Sequence, residues 1–284
     1  GIVILFLILF ALIAPLFTPY IPLYYDMTFA YASPKITAFA DSNIDFWDGY
    51  KEKNTSHLGY LKDLANMQET GNDIIKRGEY EVSPDGSNYT YRYDTYHGVG
   101  FGKYKVVSPE KFEAIQKYQN ETGKQVLYPI VKTSDRPKHT KNVHDANIYY
   151  VMENPMDAKV RPKLDADGNI IPNYWKYEAD SENPVIAEYN SLRLEGENGI
   201  VEDGTTYYYA YGRKVDGGIE IRAEYYEYYT YEHTQEKKDG IKEPLFVFGA
   251  TATGKDVFAC LAYGARFSFI FATVVAVVNF IVGV

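Results

Sequence analysis

The chain has 284 residues, room for one or two domains. Its 38 acidic residues outnumber the 29 basic ones, and the formal net charge of −9 argues against nucleic acid or an anionic lipid surface as a main partner. The single cysteine, Cys260, excludes a disulfide framework and a thiolate metal site; it reads as a small apolar filler.

Gly1 to Tyr25 contains no Asp, Glu, Lys or Arg, and neither does Phe267 to Val284. The opening run GIVILFLILFALIAPLFTP is almost wholly apolar. A membrane helix needs about 20 such residues to cross about 30 Å of hydrocarbon, so residues 1–22 are expected to form a transmembrane helix. A secretory signal peptide is the competing reading, but it needs a basic flank, and the first basic residue here is Lys35. A buried core helix is weaker still, since the run has no polar face.

Between Asp26 and Pro244 lie all the acidic residues except Asp256 and all the basic residues except Lys255 and Arg266. This stretch, residues 26–244, is long enough for its own core. It holds all the tyrosines except Tyr20, Tyr24, Tyr25 and Tyr263, and Tyr favours strands and half-buried faces. Three hairpins are expected: around Pro84-Asp85-Gly86-Ser87, around Asp165 to Asn169, and around Asp216-Gly217-Gly218, the last between Tyr207–Tyr211 and Ile219–Tyr231. Ile219, Ile221 and Ala223 alternate with Glu220, Arg222 and Glu224, which predicts a strand with one wet face. Two helices are expected. One covers His57 to Glu69. The other starts at Ser108-Pro109-Glu110, repeats Phe112, Ile115 and Tyr118 on one face, and stops at Gly123. Strands clustered in hairpins point to an α+β domain rather than α/β.

Chemistry is sparse in this domain. His139 and His144 are five residues apart in a Lys-rich stretch, a solvated loop rather than a helical metal pair. Asp165-x-Asp167-Gly168 opens like a calcium loop but lacks its remaining ligands, so a turn is expected. Sequons stand at Asn54, Asn88 and Asn120. The tyrosines could present a carbohydrate or peptide surface, though sheet packing accounts for them. No catalytic, cofactor or metal residue is expected.

The sharpest local signal is FGATATGKDVFACLAYGARFS, Phe248 to Ser268, leading into the apolar run 267–284, a second expected transmembrane helix. Gly249 to Lys255 fits the phosphate-loop spacing G-x-x-x-x-G-K. The next residue, however, is Asp256 rather than the Ser or Thr that would hold Mg²⁺, and a carboxylate there would repel phosphate. The alternative is an interfacial elbow over residues 245–266. Gly249 and Gly254 turn the chain tightly, Lys255, Asp256 and Arg266 sit at the membrane surface, and Tyr263 takes an interfacial aromatic position. Val257 to Ala265 would form a short surface helix, and Asn279 would face another helix.

This segment resembles the stretch before the second membrane helix in permease subunits of oligopeptide, dipeptide and nickel ABC importers, approximately F-G-T-D-x-x-G-R-D-V-x-S-R-x-x-Y-G-A-R-x-S-L. Phe248, Gly249, Gly254, Asp256, Val257, Tyr263, Gly264, Ala265, Arg266 and Ser268 fit in register. Ala250, Thr251, Lys255, Ala259 and Cys260 depart from it, and Lys for Arg keeps the charge but loses the fork geometry. Ala-Pro-Leu-Phe-Thr-Pro-Tyr after the first apolar run is similar to that family's first-helix exit. The match is with the C-type partner of the permease pair and covers only the two ends. The resemblance implies a multi-pass cell-membrane protein that moves peptides or nickel-type solutes by alternating access, without covalent chemistry of its own. Its implied partners are a second permease subunit, two cytoplasmic ATPase subunits, an extracytoplasmic substrate-binding protein and membrane lipid, with no nucleic acid. Residues 26–244 would then be an extracytoplasmic insertion, and the family's E-A-A-x-x-x-G coupling loop would lie past Val284. Two other classes compete: a membrane-anchored extracellular binding or adhesion domain, and a nucleotide-binding enzyme.

Overall fold

The computed structural model describes residues 1–32, 34, 44–48, 81–82, 89–94, 103–131, 149–151, 163–167, 169–179 and 184–283. The chain divides into two compact units, one made of Gly1–Ile44 with Glu232–Val284, the other of Asp45–Tyr231.

The central unit is α+β with antiparallel sheets. Strands β1 (Ile44–Asp48), β2 (Glu81–Val82) and β3 (Tyr89–Asp94) form one sheet in the order β1-β3-β2. Glu81 pairs with Thr90 and Val82 with Tyr89, which places the expected hairpin; its turn lies outside the described residues. The main sheet centres on β10 (Gly218–Ala223). One edge is taken by β4 (Lys103–Val107), and the other is shared by β9 (Gly212–Val215) and β5 (Leu127–Tyr128). A third sheet runs β6 (Lys176–Glu178), β8 (Thr205–Tyr209), β7 (Ile200–Glu202). A short helix, α3 (Pro184–Asn190), lies between β6 and β7 in sequence.

Helix α2 (Pro109–Thr122) forms for the reasons legible in its sequence. Ser108 Oγ accepts from the Lys111 N–H at 3.2 Å, Pro109 occupies the first turn, and Gly123 ends the helix. Phe112, Ile115 and Tyr118 are its buried face. They pack on Val107, Ile219, Ile221 and Ala223 of the sheet, with Val126, Leu127, Leu192, Tyr228 and Tyr231 closing the core. Each such side chain contributes about 1.5–3 kcal/mol by leaving water.

Three expectations in this unit are corrected. The Gly217-Gly218 turn joins β9 to β10, not Tyr207–Tyr211 to a long strand; Thr205–Tyr209 belongs to the third sheet. Beyond Ala223 the chain turns helical, as α4 (Tyr225–Tyr231), because the Glu224 carboxylate accepts the Glu227 N–H at 2.5 Å and caps it. The expected wet face of β10 also closes over at its end. Arg222 is fully buried, donating to the Pro129 carbonyl at 3.2 Å and lying near the Tyr128 and Tyr149 rings. The Asp165 turn is as expected, its carboxylate accepting from the Asp167 and Asn169 N–H groups. The expected helix at His57–Glu69, His57, His97, His139, His144, Asn54 and Asn88 lie outside the described residues. Asn120 is exposed, its amide donating to Glu195.

The terminal unit contains α1 (Ile2–Ile13) and α5 (Val257–Gly283). Helix placement departs from expectation at both ends. The first helix does not reach residue 22. It ends at Ile13 in a 3₁₀ turn, Ala14–Leu16, because Pro15, Pro19 and Pro22 deny further backbone donors. The second does not begin at 267. The expected surface helix and the apolar run are one continuous 27-residue helix, since Gly264 in mid-helix costs only about 1 kcal/mol and no proline interrupts it. At 1.5 Å per residue α5 is about 40 Å long. Among the described residues it alone is long and apolar enough to cross a membrane.

Helices α1 and α5 pack together through small residues. Ala11 of α1, Ala14 just after it, and Ala259 and Ala262 of α5 are buried, and Phe10 meets Phe258 edge to face with centroids 6.4 Å apart. The other faces are bare: Ile2, Leu5, Leu9, Phe267, Phe271, Val278 and Ile281 are each exposed. Contiguous apolar surface of this extent marks a face that contacts lipid or other protein. Asn279 is exposed on α5.

Candidate functional site

The residues singled out before α5 form a closed turn against the chain that follows α1. The link begins at Thr18 and Tyr20, just past the prolines. Tyr20 is buried, stacks on Phe246 with centroids 5.2 Å apart, and donates its hydroxyl to the Glu243 carbonyl at 3.2 Å. Phe29 tilts onto the same ring of Phe246 at 5.8 Å. Asp26 caps a single 3₁₀ turn, Met27–Phe29, by accepting the Thr28 N–H.

Backbone pairing joins the two stretches. The Asp26 N–H donates to the Gly254 carbonyl at 3.3 Å, the Tyr31 N–H to the Thr251 carbonyl at 3.1 Å, and the Ala250 N–H to the Ala32 carbonyl at 2.9 Å. This contact explains the two glycines. Gly254 has φ +70°, and a Cβ there would stand 1.7 Å from the Asp26 carbonyl oxygen; Gly249 has φ +78°, and its Cβ would stand 2.8 Å from the Ala32 carbonyl oxygen. Only glycine tolerates both the left-handed backbone and the approach.

Asp256 is the centre of the arrangement. It is 3% exposed. Its carboxylate accepts from the Phe258 and Ala259 N–H groups and from the Thr18 hydroxyl, at 3.1, 3.1 and 3.0 Å. One side chain therefore caps α5 and ties it to a residue 238 positions away. Burial pushes its carboxyl above the usual carboxylate range, while Thr18 and the two amides pull it partly back.

The phosphate-loop alternative fails on this geometry. A phosphate cradle needs amides pointing into open space. Here the Thr251 N–H donates to the Lys255 carbonyl, those of Thr253 and Lys255 to Thr251 Oγ1, that of Gly254 to the Thr251 carbonyl and that of Val257 to the Gly249 carbonyl. The helix N-terminus already holds the Asp256 carboxylate. Among the described residues no group of three or more His, Cys, Asp or Glu side chains could hold a metal ion.

The structure thus brings Gly249, Gly254, Lys255 and Asp256 together. It places Tyr263, Gly264, Arg266 and Ser268 elsewhere, along α5: Tyr263 half-buried, the other three exposed. Sequence reasoning missed Thr18, for which a lone Thr gives no signal. It also missed a buried histidine. His233 lies in a short π-helical segment, Glu232–Lys237, with Nδ1 2.8 Å from Asp239 Oδ2 and Nε2 3.4 Å from the Tyr24 hydroxyl. Set against family models, curated proteins and solved structures, the chain matches none.

Proposed function

We propose that the chain is a permease subunit of a peptide-type ABC importer, of the C-type, anchored in the cell membrane through α1 and α5. In this reading the tyrosine-rich unit lies outside the cytoplasm. One observation carries the proposal. The two segments that resemble the family close on one another within a single unit, and Gly249, Gly254 and Asp256, three in-register positions, occupy places where the backbone or the helix cap demands those residue types. The exposed apolar faces of both helices need lipid or further helices around them. The subunit moves solute by alternating access, ATP is hydrolysed by two partner subunits, and a binding protein delivers peptide.

The test is co-expression with a second permease subunit, two ATPase subunits and a binding protein, followed by ATP-dependent uptake of labelled peptides into proteoliposomes. The expected result is a co-purifying complex whose uptake needs this chain. A chain that purifies alone and supports no uptake refutes it. That outcome favours the second reading, a single-anchor extracellular binding domain, which the presence of only one span-length helix among the described residues supports.

A further inference from the structure

Beside the Asp256 turn a cleft of about 330 Å³ opens within the terminal unit. Phe17, Pro19, Val247 and Phe258 wall it, and Thr18 and Asp256, already bonded to each other, lie at its side. Phe17 closes the turn that ends α1, and Phe258 stands in the first turn of α5, so the cleft sits level with the ends of both apolar helices. Most of the exposed surface of both helices is apolar. Lys242 and Glu243 also line the cleft, adjacent in sequence, exposed and, among the described residues, without an ion-pair partner.

We infer that this cleft binds a phospholipid with a zwitterionic headgroup, its phosphate on Lys242, its ammonium on Glu243 and its glycerol and upper acyl atoms against Phe17, Val247 and Phe258. Two neighbouring charges of opposite sign match a headgroup that carries the same pair, and an anionic headgroup would meet Glu243 with no compensation. The depth is consistent. A bilayer with its headgroups measures about 40–45 Å, and α5 at about 40 Å spans that distance. The start of α5 then stands in the headgroup layer. Arg266, exposed about nine residues further along, has a side chain long enough to reach back toward that layer.

The inference rests on the membrane reading, and the experiment separates the two. The full chain is placed in nanodiscs of equal parts phosphatidylethanolamine, phosphatidylcholine and phosphatidylglycerol, and the lipids retained after mild detergent release are quantified by native mass spectrometry. The two zwitterionic lipids should be enriched over phosphatidylglycerol by about threefold to tenfold, the scale of one or two exposed ion pairs. Glu243→Gln should abolish that preference, and Val247→Trp, which fills the cleft, should remove retention altogether. Retention in bulk proportions, enrichment of phosphatidylglycerol, or enrichment unchanged in Val247→Trp overturns the assignment. A chain that does not enter the discs overturns the membrane reading itself.

Discussion

Replacing Gly254 by Ala adds one carbon at the tightest point of the elbow. The left-handed backbone, φ +70°, costs about 1–2 kcal/mol for any L side chain. The added Cβ cannot remain 1.7 Å from the Asp26 carbonyl oxygen, so that chain must move away. Moving it breaks the Asp26 N–H bond to the Gly254 carbonyl, for about 0.5–1.5 kcal/mol. It also disturbs the neighbouring Tyr31–Thr251 pairing, bringing the total to about 2–4 kcal/mol. Gly240 supplies the control. Its φ is +86°, but a Cβ there meets nothing within 4 Å, so Gly240→Ala should cost only the backbone term, about 1–2 kcal/mol. The assay is thermal unfolding of the full chain in detergent, followed by intrinsic fluorescence and by resistance of the 18–32 segment to protease. Gly254→Ala should melt several degrees below Gly240→Ala and be cut sooner. Equal melting temperatures would refute the claim that this glycine exists to let two chain segments touch.

Asp256→Ala removes a helix cap and the Thr18 bond and should destabilise the terminal unit by about 1–2 kcal/mol, while Asp256→Asn, which keeps one of the two accepting oxygens, should cost less; protease resistance of the elbow reads both. Ile115→Ala empties a fully buried site in the central core and should cost about 2–5 kcal/mol in urea unfolding. Burial pushes the Glu224 carboxyl up to about 8, so the folded state holds its proton more tightly than the unfolded chain does. Stability should therefore fall as pH rises from the ordinary carboxylate range to about 8, and Glu224→Gln should flatten that slope in a series of melting temperatures against pH.

What could be read from the sequence was whatever local physics decides. Ser108, Pro109 and Gly123 bound α2 without help from the rest of the chain, and the Asp165 turn is made by its own side chain. The segment Tyr225–Tyr231 was opaque, because tyrosine fits a pleated sheet or a buried helix equally well and the cap that decides the matter, Glu224, reads as one more alternating strand residue. Burial of Arg222 was equally hidden, since its neighbours Tyr128 and Tyr149 are distant in sequence. At the elbow the glycines and Asp256 stood out by spacing. Their role did not, because it depends on Thr18, Asp26 and Ala32, which reach them only through the tertiary fold. The limits of α5 were misjudged because composition marks where charge stops, at Arg266, whereas the helix starts where Asp256 caps it.

The most direct measurement is alkaline carbonate extraction of the full chain from isolated cell membranes, with protease added from the outer face in a parallel sample. The chain should stay in the membrane pellet while external protease digests the tyrosine-rich unit. Release into the carbonate supernatant, or a tyrosine-rich unit protected until the cells are opened, would contradict the proposal that α1 and α5 lie in lipid beneath an extracytoplasmic domain.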